Sequence, residues 1–177
     1  MIRSVAVFCG SQHGSNELFS RHASQLGKIL GENKIRLVYG GGNVGLMGII
    51  ANNALENGGE VVGVIPDILV KMERSHAGIT ELLVVEDMHV RKRKMYELCD
   101  AAVILPGGHG TMDEFFEMIT WNNLSIHDKK IFVLNSAGYY DHLLQHINTM
   151  YNSGFLYENP SDSIKVVSAP GELLGYF

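Results

Sequence analysis

Short runs that are apolar at every position, each broken by glycine or proline and followed by a helical pattern, recur along the chain and constrain its fold more than any other feature. Ser4 to Cys9 (SVAVFC) ends at Gly10-Ser11, after which Leu18, Phe19, His22, Ala23, Leu26, Ile29 and Leu30 fall at helical spacing within Glu17 to Leu30. Ile35 to Tyr39 is a second run; Gly40 to Asn43 breaks it, and Val44 to Leu55 reads as a small-residue helix ending near Gly58-Gly59. Val61 to Ile65 stops at Pro66, Asp67 to Gly78 is irregular or briefly helical, and the strand Leu82 to Val85 precedes a helix from Val90 to Cys99. Ala101 to Leu105 then leads through Pro106 to Gly110 into a helix reaching Leu124, followed by strand Ile131 to Leu134, helix Tyr140 to Asn152 and strand Ile164 to Val167. Strands without a polar face are covered on both sides. The pattern therefore predicts an α/β, Rossmann-like, doubly wound and mainly parallel sheet with helices on both faces and right-handed connections.

With 177 residues and no Pro-, Ser- or charge-rich linker, residues 1–177 are expected to form one nucleotide-binding domain. The net charge is -5, and the only dense basic run is Arg91-Lys92-Arg93-Lys94, which argues against nucleic acid as the main ligand. The two cysteines, Cys9 and Cys99, lie far apart in apolar contexts and suggest neither a zinc site nor a disulfide framework, so a reduced cytoplasmic compartment is expected. The apolar start is too short for a signal peptide and no segment reaches membrane-spanning length; no membrane partner is expected.

In doubly wound sheets ligands sit beyond the carboxyl ends of the strands, which directs attention to the strand-to-helix loops. Gly40-Gly41-Gly42-Asn43-Val44-Gly45 contains a GxGxxG between a strand and a helix, where backbone N–H groups can approach a phosphate. A tight turn with close helix packing by Gly45 and Gly48 explains it equally well. A dinucleotide site would require an acid about twenty residues further on; Asp67 is the nearest, with Pro66 beside it. The second loop, Pro106 to Gly110, offers donors again, and Thr111 adds a hydroxyl at the same helix end. Thr111-Met112-Asp113-Glu114 also has capping-box spacing, and on spacing alone Glu114 is read as a cap. An acid beside such a cleft has the alternative of accepting from sugar hydroxyls or orienting water.

Arg91 shares a stripe with Met88, Met95, Leu98 and Ala102, so its guanidinium rides an apolar face and requires a partner, either solvent by snorkelling or an anion such as Glu114 or a ligand. His142 and His146 are four residues apart without the Glu of a zinc-protease motif, so no metal is assigned. His109 lies in the second glycine loop, and His89 reads as a cap of the Arg91 helix. Trp121 and Phe115-Phe116 are expected in the core or at a subunit contact.

YGGGNVGLMG (Tyr39 to Gly48), MHVRK (Met88 to Lys92), PGGHGTMDE (Pro106 to Glu114) and ITWNNLSIHDK (Ile119 to Lys129) together resemble the LOG family, the cytokinin riboside 5'-monophosphate phosphoribohydrolases also labelled lysine decarboxylase-like. The resemblance runs from Cys9-Gly10-Ser11 to Gly138–Leu144. It implies a Rossmann-like homodimer that hydrolyses the N-glycosidic bond of a purine nucleoside 5'-monophosphate to free base and ribose 5-phosphate; no cofactor is assigned. Arg91 and Glu114 become the catalytic pair by this resemblance. It implies that the glycines of both loops, Gly40, Gly41, Gly42, Gly107, Gly108 and Gly110, surround the phosphoribosyl group with Thr111, and that Glu73, Met88, Lys92 and Thr120 line the nucleotide pocket; Gly10, Ser11, His109, Met112 and Asp113 are further substrate-binding candidates. His109, Asp113 and Asn122-Asn123 depart from the commoner residues, which bears on base preference more than on chemistry. The rival readings are a non-catalytic nucleotide-binding or carrier protein and, resting only on GxGxxG and Asp67, a nicotinamide-dependent oxidoreductase.

Overall fold

Alternation along each strand divides the apolar residues between two cores. Val5, Val7, Leu37, Tyr39, Val61, Val103 and Leu105 face one side; Ala6, Phe8, Val38, Val64, Ala102 and Ile104 face the other. The computed structural model describes residues 2–70, 72 and 75–177. Its seven strands are β1 (Ser4–Phe8), β2 (Arg36–Tyr39), β3 (Val61–Pro66), β4 (Glu81–Val85), β5 (Ala101–Ile104), β6 (Lys130–Leu134) and β7 (Ile164–Val167). They form one sheet in the order β4-β3-β2-β1-β5-β6-β7, and every pairing is parallel.

Helices α1 (Glu17–Glu32) and α2 (Gly45–Glu56) cover the first face; α4 (Met88–Leu98), α5 (His109–Asn123) and α6 (Asp141–Asn152) cover the second. Two short helices, α3 (Asp67–Val70) and α7 (Pro160–Ser163), fill connections. The start of β1 is pinned to the start of β5 by Asp100, whose carboxylate accepts the N–H groups of Arg3 (2.7 Å) and Ser4 (3.0 Å). Burial raises its pKa, but these hydrogen bonds outweigh that and hold it below the ordinary value.

Several boundaries differ from those expected. Helix α4 begins at Met88 rather than Val90, because Asp87 is its N-cap and accepts the Val90 N–H at 2.8 Å. His89 is therefore inside the first turn and does not cap it. Ala102 belongs to β5, so the apolar stripe of Arg91 ends with the helix at Leu98. Asp67 is exposed at the start of α3, following β3 rather than β2.

The GxGxxG loop has more to do with packing than its pattern suggests. Gly45 has φ +60°, and a Cβ there would overlap the backbone of Ser11 and Gln12. The Leu46 N–H at the start of α2 donates to Gly10 O at 3.1 Å, so one chain loop already occupies this helix end. Gly45→Ala combines an unfavourable φ with a collision and is expected to lower stability by about 2–4 kcal/mol in denaturant titrations. Gly110→Ala, inside α5 with nothing within 4 Å of the added Cβ, is expected to keep or raise stability.

Candidate active site

The chain leaves β1 toward β2, β3 and β4 and then returns to β5 on the other side, making β1/β5 the switch point of the sheet. A cleft of about 360 Å³ opens there. Val7, Phe8 and Cys9 form its floor at the end of β1; Gly10 and Ser11 follow, and Gly40 and Met47 flank it. Met88 and Arg91 enter from α4, and Gly108, His109, Gly110, Thr111 and Glu114 from the start of α5.

Arg91 does not snorkel. It is 7% exposed, and its Nε donates to Val64 O (3.0 Å) while Nη2 donates to Gly40 O (3.2 Å). Its Nη1 lies 3.7 Å from Met88 Sδ and 4.0 Å from Glu114 Oε1. The two carbonyls fix the plane of the guanidinium but carry no formal charge, which leaves the carboxylate of Glu114 as the opposite charge at this end. Gly40 is required by this arrangement, since a Cβ there would collide with the guanidinium.

Glu114 is not a cap. Helix α5 starts at His109 with Gly108 as N-cap, and no side chain caps it. Thr111 is its third residue, and Glu114 follows on the buried side, 8% exposed, at the cleft. The capping-box reading fails because the helix begins two residues before Thr111. A Cβ on Gly107 would overlap the Thr111 hydroxyl, whereas at Gly108 and Gly110 it would meet nothing within 4 Å. The second loop is thus closed toward the protein at Gly107 and open at Gly108 and Gly110. Burial, and then the charge of Glu114, push the Cys9 thiol pKa upward, so it stays protonated and is no thiolate nucleophile.

Of the residues expected at the site, Gly10, Ser11, Gly40, Met88, Arg91, Gly108, His109, Gly110, Thr111 and Glu114 line this one cleft. Gly41 packs on Ile65 and Leu82, Gly42 bridges to Ser75, and Gly107 borders a neighbouring cavity. Met112 packs against the second core, while Thr120 is exposed and donates to Phe116 O at 2.8 Å. Glu73 lies outside the described residues. His142 and His146 are exposed on α6. Val7, Phe8, Cys9 and Met47 were not expected in the lining; the end of β1 at the switch point is the signal that points to the first three.

Lys92 is buried beside Arg91 but faces α5, where its Nζ lies 3.0 Å from Asp113 Oδ2 and 3.0 Å from Glu117 Oε2. Tyr96 Oη donates to the same Glu117 oxygen at 2.8 Å. This network ties α4 to α5 and so sets the separation of Arg91 from Glu114. Burial lowers the Lys92 pKa, but the hydrogen bonds and charges of Asp113 and Glu117 outweigh it, leaving the pKa raised.

A parallel doubly wound sheet with a buried Arg–Glu pair and an open glycine turn at its switch point defines an α/β protein with a cleft suited to an anionic ligand. A family model described as "Possible lysine decarboxylase" matches residues 47–177. A cytokinin riboside 5'-monophosphate phosphoribohydrolase of Rhodococcoides fascians is 48% identical over 155 residues, covering 87% of this chain and 78% of that protein. The enzyme of the same name, LOG5, from Arabidopsis thaliana is 42% identical over 168 residues, covering 95% of this chain and 73% of that one. The chain belongs to the LOG family. Among solved structures, the molybdenum cofactor binding protein of Rippkaea orientalis superposes with a TM-score of 0.73 at 19% identity, over 99% of this chain and 95% of that one. The DNA processing protein A of Streptococcus pneumoniae superposes at 0.63 and 17%, over 98% and 61%. These two likenesses establish a shared fold.

Lys92→Met is expected to cost about 1–3 kcal/mol at neutral pH by leaving two carboxylates without their cation. Because the folded pKa lies above the ordinary 10.5, the contribution is complete below that value and is lost as pH rises through the folded pKa. Unfolding free energies of parent and variant are therefore expected to converge in alkaline solution.

Proposed function

We propose that the cleft binds a purine nucleoside 5'-monophosphate and hydrolyses its N-glycosidic bond to free base and ribose 5-phosphate. The observation that carries this reading is the buried Arg91–Glu114 pair, 4.0 Å apart, beside the open edge of the second glycine turn. The names of the relatives support the same activity. In the reaction the C1'–N bond breaks with its electron pair passing to the base, which takes up a proton, while water oxygen bonds to C1' and loses one. The transition state resembles an oxocarbenium ion, positive on the ribose and negative on the departing base. Glu114 is assigned to hold ribose hydroxyls and stabilise or direct the water; Arg91 is assigned to orient the nucleotide or assist the leaving base. The N–H groups around Gly108 to Thr111 bind the phosphate, whose remote binding energy fixes the sugar.

Decarboxylation through pyridoxal chemistry has less support, because it needs a Schiff-base lysine. No lysine lines the cleft among the described residues, and Lys92 is held protonated by two carboxylates. The molecule is proposed to act as a homodimer. Exposed apolar side chains of α4 and α5 and of the turn after them, Met88, Phe116, Leu124 and Ile126, offer surface for a second copy. Light scattering is then expected to give twice 19.5 kDa. The compartment proposed is the cytoplasm, in keeping with two buried free thiols.

The test is chromatography of products from AMP and isopentenyladenosine 5'-monophosphate, with the matching nucleosides as controls. Parent protein is expected to release base from the monophosphates only, and Glu114→Gln to lower kcat/KM by about 10²–10⁴. Retained nucleotide with no released base favours the carrier reading. Equal cleavage of nucleosides contradicts the phosphate role of the loop.

A further inference from the structure

The carbonyl oxygens from Leu105 to Gly108, which lead into the glycine turn that opens on the cleft, are each engaged. Leu105 O accepts from Tyr140 Oη (2.6 Å), Pro106 O from the Gly10 N–H (3.0 Å), Gly107 O from Tyr139 Oη (2.7 Å) and Gly108 O from the Met112 N–H (3.1 Å). Two of these donors are hydroxyls of consecutive tyrosines that reach the turn from the connection between β6 and α6.

That connection is built to aim them. Ala137 (φ 54°) and Gly138 (φ 70°) both occupy the left-handed region, a conformation alanine adopts only when its surroundings hold it there. Ser136 Oγ, fully buried, is hydrogen-bonded to His22 Nδ1 at 2.7 Å, and Asn135 Oδ1 accepts the Tyr140 N–H at 2.8 Å. The Tyr139 ring stands edge-on to Phe19 with centroids 5.5 Å apart and to Tyr140 at 4.8 Å. These ring contacts need no hydroxyl. Tyr139 is 46% exposed, so water would satisfy its hydroxyl equally well; among the described residues its hydroxyl bonds to the glycine turn.

A trans peptide points its N–H opposite to its C=O. Holding Gly107 O toward Tyr139 therefore turns the Gly108 N–H away from Tyr139. Tyr139 and Gly107 border a separate cavity of about 290 Å³, whereas Gly108 borders both that cavity and the cleft of Arg91 and Glu114. We infer that Tyr139 is a positioning residue: its hydroxyl sets the Gly107–Gly108 peptide so that the Gly108 N–H is presented to the 5'-phosphate of the nucleotide. Tyr140 has a different task. The residue after Leu105 is Pro106, which has no N–H to aim, and the other backbone group at the Tyr140 hydroxyl is the Gly107 N–H, so Tyr140 anchors the end of β5 and the first half of the turn and leaves the Gly107–Gly108 peptide to Tyr139.

The inference rests on the proposed binding of a nucleoside 5'-monophosphate, and its test keeps the two apart. Tyr139→Phe retains the ring contacts and removes one hydroxyl. Calorimetric titration with inorganic phosphate is expected to show about fivefold weaker binding than for the parent, with KM for AMP raised by a similar factor, kcat nearly unchanged and the melting temperature unmoved. Tyr140→Phe is expected to melt earlier yet keep the parent affinity for phosphate. Unchanged phosphate affinity in Tyr139→Phe, a loss confined to kcat, or an equal loss of phosphate affinity in Tyr140→Phe overturns the assignment. So does a parent protein that binds no phosphate. Phosphate binding by the parent without release of base from any nucleotide rejects the hydrolase reading alone, and the phosphate titrations still decide the role of Tyr139.

Discussion

A guanidinium 7% exposed in the second face of an apolar sheet is the constraint on which the site depends. Removing such a charge from water costs several kcal/mol unless hydrogen bonds and an opposite charge compensate, and every feature near Arg91 answers that requirement. Val64 O lies in β3 and Gly40 O belongs to the residue just after β2, so the backbone of two adjacent parallel strands supplies the acceptors. Gly40 has no side chain because the guanidinium occupies that space. Glu114 comes from α5, and its distance from Arg91 is set by the Lys92–Asp113–Glu117 network between the two helices. Adjacent residues of α4 thus divide the work: Arg91 faces the cleft and Lys92 braces it.

The two glycine loops, alike in sequence, are put to opposite uses. At the start of α2, Gly45 lets the Ser11–Gln12 backbone approach and Gly10 O takes the Leu46 N–H, so the helix end is closed by the chain itself. At the start of α5 the N-cap is a glycine without a capping side chain, and the space beside Gly108 and Gly110 is open. Helix N-termini attract anions through unpaired N–H groups, and a terminus already supplied with a carbonyl has less to offer. The first loop flanks the cleft and holds Arg91, and the second is left open toward that cleft.

The fold was legible because buried parallel strands leave a plain signature, and all seven were placed within a residue or so at each end. The Arg91 position was legible for the same reason: a charge on an apolar stripe demands a partner. What spacing misjudged was Glu114, since T-x-x-E describes a capping box only if the helix starts at the Thr, and Gly108 and His109 start it earlier. Local pattern also gave Gly41 and Gly42 the same standing as Gly40, although only tertiary contact separates a glycine against Ile65 from one against a guanidinium. Lys92 was assigned to the pocket by resemblance, and its partners Asp113 and Glu117 lie on another helix, beyond the reach of any helical periodicity.

The sheet by itself does not separate a carrier from a hydrolase, for the same fold at 19% identity serves a protein described as binding the molybdenum cofactor. The difference must lie in side chains. A phosphate cradle needs only backbone donors and a hydroxyl, which Gly108 to Thr111 supply; it gains nothing from a carboxylate placed beside it, because that charge repels the phosphate. Glu114 is therefore a cost to simple retention of a monophosphate. It becomes useful once positive charge develops on the sugar, since a carboxylate then stabilises the transition state more than the ground state, which is the condition for faster chemistry rather than tighter binding. Arg91, held by carbonyls that leave its formal charge in place, compensates the acid and faces the same cleft. A pair of opposite charges kept buried beside an open, uncapped helix start suits a glycosidic bond that ionises as it breaks.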